Sequence, residues 1–375
     1  MEQQEYMLNQ EEQVVFKLRS LYRQYGYQQY KMSNFEEYDL YAENKNFLVS
    51  QNVITFTGAN GKLMALKPDV TLSIIKNSPD EPEDLEKVCY NENVYRVDGG
   101  SHEFKELVQT GLECIGHIDL YAMGEVLMLA ARSLQSIHPN YILDVSHLAF
   151  VQGILDEAGL NESQRSEILR CMNSKNTPEL CALCAAWQIR EDLALSLQEL
   201  TGLYAPMGEA LLRLKELTVN EKTQAALDEL SGVYQLLCAD ACQEHVYLDF
   251  SLTNDMQYYN GLVFRGFVDG LPRSVLSGGR YDKLVHRLGK QGGAIGFAVY
   301  LDLLERLNRN QQPYDVDVLL LYGDDADLTA LAQTVRMLTM NGQSVKAQRK
   351  KNGGLRYRQL LLMKERGVEI LETHD

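Results

Sequence analysis

The chain has 375 residues, of which 45% are hydrophobic and 23% charged, so it can bury a core in two or three domains and is neither disordered nor collagen-like. Its 36 Lys and Arg stand against 52 Asp and Glu, a formal net charge of −16, which argues against a general nucleic-acid binder because phosphate contacts need a cationic surface. No apolar run approaches the about 18 residues of a membrane span, and the acidic, amide-rich start is unlike a signal or transit peptide, so we expect a cytoplasmic protein.

The first 150 residues mix helix and strand patterns. Residues 11–25 place apolar side chains on one helical face and end at Gly26, a candidate C-cap. VITF and LMAL predict a β-hairpin, and TLSIIKN predicts a helix that begins near Thr71. VCYNENVYRVD and ELVQTGLECIG predict two strands around a loop at Gly99-Gly100, followed by a helix over DLYAMGEVLMLAARSLQSI and a strand over YILDVSHLAF.

The composition and hydrophobic periodicity of the remaining residues change twice. Residues 151–239 are rich in Leu, Ala, Glu and Gln and keep helical periodicity, so they predict an all-helical insertion. Strand patterns return in VYLDFSL, YYNGLVFRGFVDG and RSVLSGGRYDKL, and a final helix is predicted from 296 to 308. One core built from 1–150 and 240–308 would thus be split by the insertion. After a linker at 309–313, residues 314–375 alternate strand and helix and predict a small parallel α/β domain.

The seven cysteines are expected to be reduced thiols. Cys181 and Cys184 form a CxxC pair, and Cys238, Cys242 and His245 follow at helical spacing, which is the ligand chemistry of a zinc site. The CxxC pair lies in the apolar helical run ELCALCAAW, however. We therefore favour buried cysteine acting as a small hydrophobe, and predict no metal.

Four sequence blocks occur together in one order: KPDVTLSIIKN (67–77), VYRVDGGSHEFKELVQTGLECIG (94–116), MQYYNGLVF (256–264), and SGGRYDKLVHRLG with AIGFAVYLDLLERL (277–307). In these blocks the chain resembles the class II histidyl-tRNA synthetase core and its paralogue, the regulatory subunit of ATP phosphoribosyltransferase. The resemblance implies an α+β fold: a class II aminoacyl-tRNA synthetase-like antiparallel sheet flanked by helices, with the all-helical insertion and a small C-terminal α/β domain. This last domain looks like a truncated anticodon-binding domain.

The positions of the synthetase arginines indicate which of the two paralogues this chain resembles more. Adenylation needs cations aimed at the triphosphate, because negative charge must be stabilised where it develops. Arg96 occupies the place of one synthetase arginine, but Leu303 and Asn254 stand where two others belong, and neither carries positive charge. We therefore expect a catalytically silent paralogue, and no cofactor is implied.

The residues that would bind histidine match the synthetase pattern more fully than the arginines that would bind ATP. Asp69 and Thr71 would receive the α-ammonium group of histidine, and the tyrosine pair would lie beside its imidazole, which suits a cationic amine and an aromatic wall. The residues implied to bind histidine are Asp69, Thr71, Gln109, Glu113, Tyr258 and Tyr259. Those implied to line the pocket are Arg96, Gly278, Gly279, Arg280 and Tyr281.

These residues also have purely structural explanations. Asp69 follows a proline and suits a helix N-cap, a role that Thr71 can also fill. Tyr258 and Tyr259 alternate along a strand, so one of them would belong to the core. Gly278-Gly279 suits close backbone packing, and Arg96 suits an ion pair with Asp98 or Glu113.

Taken in family order, the blocks imply the regulatory subunit of a short-form ATP phosphoribosyltransferase. The implied partners are the catalytic subunit, L-histidine as the feedback effector of histidine biosynthesis, and a second copy of the chain in a homodimer within the hetero-oligomer. The alternatives are a histidine–tRNA ligase with degenerate motifs and an RNA-binding paralogue that uses the basic segment 346–366. For that segment we favour a solvated basic face, or contact with an acidic partner domain, over tRNA binding, because it contains no aromatic stacking platform.

Overall fold

The computed structural model describes residues 10–44, 53–80, 85–97, 103–253, 258–304, 314–351, 353–364 and 367–374. The chain divides into two compact units, a larger one over Glu11–Leu304 and a smaller one whose described residues lie chiefly in 314–374. The predicted boundaries near 150 and 240 stay a prediction, and the linker at 309–313 lies outside the described residues. No helix within the described ranges is long and apolar enough to cross a membrane.

The larger unit combines helices with one large and one small sheet. Its helices are α1 (Gln10–Gln24), α2 (Tyr38–Glu43), α3 (Thr71–Asn77), α4 (Leu120–Ile137), α5 (Leu148–Glu157), α6 (Glu162–Asn173), α7 (Thr177–Ala186), α8 (Glu191–Gly202), α9 (Met207–Glu216), α10 (Glu221–Ala239) and α11 (Asp282–Arg287). Its strands are β1 (Gln28–Gln29), β2 (Phe35–Glu37), β3 (Thr55–Thr57), β4 (Leu63–Leu66), β5 (Glu86–Val97), β6 (Phe104–Gly116), β7 (Tyr141–His147), β8 (Tyr204–Pro206), β9 (Val246–Asp249), β10 (Leu262–Val268), β11 (Leu276–Arg280) and β12 (Gly293–Tyr300). Short 3-10 helices cover Gln243–His245 and Leu301–Leu303.

Several local predictions are confirmed. Helix α1 ends before Gly26, whose φ of +84° is the left-handed conformation of a C-capping glycine. Strands β3 and β4 pair antiparallel as the predicted hairpin, and β2 joins them in a three-stranded sheet. Helix α3 begins at Thr71, as predicted.

The large sheet carries the order β1-β5-β6-β12-β11-β10-β7-β9-β8 among the described strands. Its centre is antiparallel, as predicted, but β1 runs parallel to β5 and β9 parallel to β7, so the sheet is mixed. Parallel neighbours need a long crossover, and the helical insertion supplies the one between β7 and β9. The insertion is also not purely helical, because Tyr204–Pro206 forms the edge strand β8 against β9.

The helix predicted at 296–308 is wrong for its first part, and residues 305–308 lie outside the described residues. Gly293–Tyr300 is strand β12, which pairs antiparallel with β6 on one side and β11 on the other, and the 3-10 turn Leu301–Leu303 follows it. The segment AIGFAV is apolar without a clear period, so the sequence pattern cannot separate a buried strand from a helix. The segment forms a strand because it lies in the centre of the sheet, where it pairs on both sides and is buried on both faces.

The smaller unit contains β13 (Val316–Leu321), α12 (Leu328–Met340), β14 (Val345–Gln348), β15 (Tyr357–Lys364) and β16 (Gly367–Thr373). The sheet order is β14-β13-β15-β16, parallel as predicted except for β16, which runs antiparallel to β15. The basic segment carries much of its charge in ion pairs within this unit. The pairs are Arg349–Asp324, Lys351–Glu372, Arg356–Asp315, Arg358–Asp317 and Lys364–Glu369.

Candidate functional site

The strand register places a polar residue beside two glycines on one face of the large sheet. Glu113 lies opposite Gly296, and Gly296 lies opposite Gly279. Directly opposed residues point to the same face, so these three share it, and Gln109 joins them because it lies an even number of residues from Glu113. The face therefore offers a floor with two buried polar side chains and little bulk between the strands.

Glu113 is the centre of a buried hydrogen-bond cluster. The hydroxyl of Thr71 donates to its Oε1 at 2.7 Å, and the hydroxyl of Tyr281 donates to its Oε2. The carboxyl is only 2% exposed, and this burial raises its pKa to about 8, although the two hydroxyl donors oppose the shift. Two elements distant in sequence thus converge on one carboxyl whose oxygens can also accept a hydrogen bond from a ligand.

Gly296 makes room for this carboxyl and was not identified from the sequence. A Cβ atom at position 296 would overlap both Glu113 Oε2 and the backbone oxygen of Leu112. An isolated glycine in a strand signals such a close approach. That signal was missed because the segment was predicted to be helical.

Asp69 lies at the start of helix α3 and is 8% exposed. Its Oδ1 accepts a hydrogen bond from the backbone N–H of Leu72 at 3.0 Å in the first turn, which supports the capping explanation, although Val70 occupies the N-cap position. Burial raises the pKa of Asp69, while these backbone bonds and the charge of Arg96 lower it. Arg96 itself donates from Nε to the oxygen of Pro68 at 3.0 Å and so holds the turn before Asp69.

The tyrosine pair forms an aromatic wall beside these groups. The rings of Tyr258 and Tyr259 meet edge to face with centroids 4.7 Å apart, and Tyr258 lies 5.6 Å from Tyr281. Burial raises the pKa of Tyr258, and the nearby charges of Asp69 and Glu113 raise it further. Both tyrosines are half-buried and pack against the core, so neither is a purely core or purely surface residue.

Two predicted pocket-lining residues lie elsewhere. Because side chains alternate along β11, Gly279 shares the Glu113 face while Gly278 and Arg280 point to the opposite face. There, Arg280 Nε donates to Asp282 at 2.8 Å and its guanidinium faces the sulfur of Met123. A Cβ at Gly278 would meet Phe264 and Phe297, which fits the close-packing explanation.

The structure thus gathers most of the predicted residues in one place. Those brought around the Glu113 face are Asp69, Thr71, Arg96, Gln109, Glu113, Tyr258, Tyr259, Gly279 and Tyr281. Asn254 lies outside the described residues, as does the side chain of Leu303. The arrangement offers acidic acceptors for cationic or N–H groups and an aromatic wall, which suits a small ligand with an ammonium group and a ring.

The cysteines show no metal chemistry in the part of the chain that the structure describes. Within it, no group of three or more His, Cys, Asp or Glu side chains is arranged to hold a metal ion. All seven thiols are free; Cys184 is buried in α7, while Cys238 is exposed on α10.

The raised pKa of Glu113 predicts how the stability of the protein depends on pH. Its pKa rises from 4.5 to about 8 on folding, so between these values the folded state keeps a proton that the unfolded state has lost. The free energy of unfolding should therefore fall as the pH rises through this window and lose nothing further through Glu113 above it. We expect denaturant unfolding to show a smaller fall for Glu113→Gln than for the wild type. Equal falls in the two proteins would contradict this assignment.

Comparisons with known proteins identify the family of this chain. The family model described as histidyl-tRNA synthetase matches residues 4–304. The chain belongs to the histidyl-tRNA synthetase family. Among its curated relatives is the ATP phosphoribosyltransferase regulatory subunit of Oceanobacillus iheyensis, which is 26% identical over 334 residues, covering 88% of this chain and 82% of that protein.

Solved structures confirm the α+β fold of this histidyl-tRNA synthetase family member. An ATP phosphoribosyltransferase regulatory subunit/histidyl-tRNA synthetase from Bacillus halodurans superposes with a TM-score of 0.78 at 23% identity, covering 94% of this chain and 93% of that one. A chain of the ATP phosphoribosyl transferase (HisG:HisZ) complex from Thermotoga maritima gives a TM-score of 0.61 at 19% identity, covering 77% and 96%. These likenesses establish the class II synthetase-like architecture.

Proposed function

We propose that this chain is the non-catalytic regulatory subunit of a short-form ATP phosphoribosyltransferase. It would be required for the activity of the separate catalytic subunit, in the cytoplasm, and would mediate histidine feedback on the first step of histidine biosynthesis. The observation that carries the proposal is the similarity, over 88% of this chain and 82% of the relative, to a protein named as that regulatory subunit.

The pocket supports a regulatory role for L-histidine. The carboxylate of Asp69 would receive the α-ammonium group, and the carboxyl of Glu113 would accept the imidazole N–H. Tyr258 and Tyr259 would enclose the ring. Histidine bound in this way would favour one arrangement of the hetero-oligomer, built on a homodimer of this chain, and that arrangement would be the less active one.

A histidine–tRNA ligase is the second candidate, because the family match covers the synthetase core. The triphosphate of ATP needs positive charge, and two of the three expected arginines are replaced by Leu303 and Asn254. We therefore expect no histidine-dependent ATP–pyrophosphate exchange above a blank without protein. Exchange that depends on histidine and saturates with ATP would establish the ligase and remove the regulatory proposal.

The partnership is tested by mixing this chain with the short catalytic subunit from the same genome. We expect the two chains to co-elute in size-exclusion chromatography at a fixed ratio. A regulatory subunit from a distant species serves as a positive control for the column and for the catalytic chain. Separate elution of this chain, when the control forms its complex, would contradict the proposal.

A further inference from the structure

The residue that follows the aromatic wall in the chain, Asn260, is held by hydrogen bonds of both its backbone and its side chain. Asn260 comes directly after Tyr259, and its backbone N–H donates to the oxygen of Arg280 at 2.9 Å. Its side-chain Nδ2 donates to Asp282 Oδ2 at 3.0 Å, and its Oδ1 accepts from the backbone N–H of Asp282 at 2.7 Å. The position of the tyrosine pair therefore depends on Asp282.

Asp282 collects donors from three neighbouring segments. Besides Asn260, it accepts from Arg280 Nε at 2.8 Å and from the backbone N–H of Ala294 at 3.1 Å. Gly293 leaves the space for it, because a Cβ there would overlap Asp282 Oδ1. Asp282 also follows Tyr281, whose hydroxyl donates to Glu113. One carboxylate thus ties together the tyrosine pair and the floor of the pocket.

The helical insertion contacts the sheet near this cluster through Glu229 of helix α10. Glu229 Oε2 lies 2.9 Å from His147 Nε2, at the end of strand β7. The hydrogen bond to His147 is the main cause that lowers the pKa of Glu229, and the charge of Arg280 lowers it further. His147 in turn pairs with Leu262 at the start of strand β10, and the backbone N–H of the next residue, Leu148, donates to the oxygen of Gly261 at 2.9 Å. Gly261 directly follows Asn260, so the contact of Glu229 leads by backbone pairing to the residue that Asp282 holds.

Helix α10 belongs to the predicted insertion but packs closely against helix α4 of the core. A Cβ at Gly124 of helix α4 would overlap the side chain of Leu236, and a Cβ at Gly232 would come within 2.5 Å of Leu120. Such glycine contacts bring the two helices close together and leave little freedom to slide. This close packing holds Glu229 in a fixed place against His147 and strand β7.

We propose that Glu229 and Asp282 are positioning residues through which helix α10 sets the aromatic wall of the pocket. The insertion then takes part in ligand recognition without touching the ligand. Coupling through such packed and hydrogen-bonded networks changes ligand affinity by about 2-fold to 30-fold. This inference rests on the proposed function, since it takes L-histidine as the ligand of the pocket.

The test compares two neighbouring carboxylates on α10. Glu229→Gln removes the charge beside His147, whereas the control Asp228→Asn removes an exposed charge that accepts a hydrogen bond from Gln224 on the same helix. We expect calorimetry on the full chain to show that Glu229→Gln weakens L-histidine binding about threefold to tenfold. Asp228→Asn should bind like the wild type, and both variants should keep the wild-type unfolding midpoint.

Hydrogen exchange supplies a readout that needs no variant to fold. At saturating L-histidine, the backbone amides of Glu221–Ala239 in the wild-type chain should exchange more slowly than in the same chain without ligand. Absence of histidine binding by the wild type would overturn the proposed function. Histidine binding by the wild type without protection in α10, or with equal affinity for Glu229→Gln and Asp228→Asn, would overturn this inference and leave the proposed function standing.

Discussion

Asp69→Asn is expected to weaken L-histidine binding about 10-fold to 100-fold, because a hydrogen bond to a charged group contributes about 1.5–3 kcal/mol. The substitution removes the negative charge that would face the α-ammonium group. It keeps a side-chain oxygen that can accept from the backbone N–H of Leu72, so helix α3 retains its cap. Calorimetric titration of the chain with L-histidine measures the affinity, and inhibition of the reconstituted transferase measures its consequence.

Asp80→Asn is the matched control for this change. Its carboxylate lies shortly after helix α3 with a side chain 85% exposed, so the variant loses the same charge without touching the pocket. Both variants should assemble with the catalytic subunit like the wild type. If Asp69→Asn were inhibited by histidine as strongly as Asp80→Asn, the pocket would have no part in feedback.

Gly296→Ala is expected to abolish histidine binding and to lower the free energy of unfolding by about 1–3 kcal/mol, the usual cost of overpacking a core. The new Cβ would overlap the Glu113 carboxyl and also the rigid backbone oxygen of Leu112. Glu113 would have to leave the hydroxyls of Thr71 and Tyr281, which removes the acceptor for the imidazole. Denaturant unfolding and calorimetry measure the two effects.

Gly202→Ala provides the comparison in the same unit. A Cβ at Gly202, the last residue of helix α8, would meet nothing within 4 Å. We expect this variant to keep wild-type affinity and to change stability by less than about 1 kcal/mol. A Gly296→Ala protein that binds histidine and unfolds like Gly202→Ala would show that the floor of the pocket tolerates a side chain.

The sequence patterns predict much of the fold because most elements carry local signals. The long strands β5 and β6, the hairpin of β3 and β4, and the start of α3 at Thr71 all follow from periodicity and turn residues. Strand β12 does not, because a strand buried on both faces loses the alternation that identifies it. The parallel pairing of β7 with β9 is likewise invisible locally, since it depends on where the chain returns after the insertion.

The candidate site depends even more on long-range contacts. Glu113 meets Thr71 from 42 positions away and Tyr281 from 168 positions away, so spacing alone cannot bring them together. Resemblance to a family supplied these residues, but it did not distinguish the two faces of β11. Gly279 faces the pocket whereas Arg280 faces α4 and Asp282, a difference that requires the strand register. Gly296 and Glu229 likewise emerge only from tertiary contacts.

Reconstitution of the transferase is the most direct test of the central claim. The short catalytic subunit is assayed for formation of phosphoribosyl-ATP, alone and with this chain, with and without L-histidine. We predict that activity requires this chain and falls when histidine is added. A mixture that shows no activation and in which the two chains fail to co-elute would contradict it.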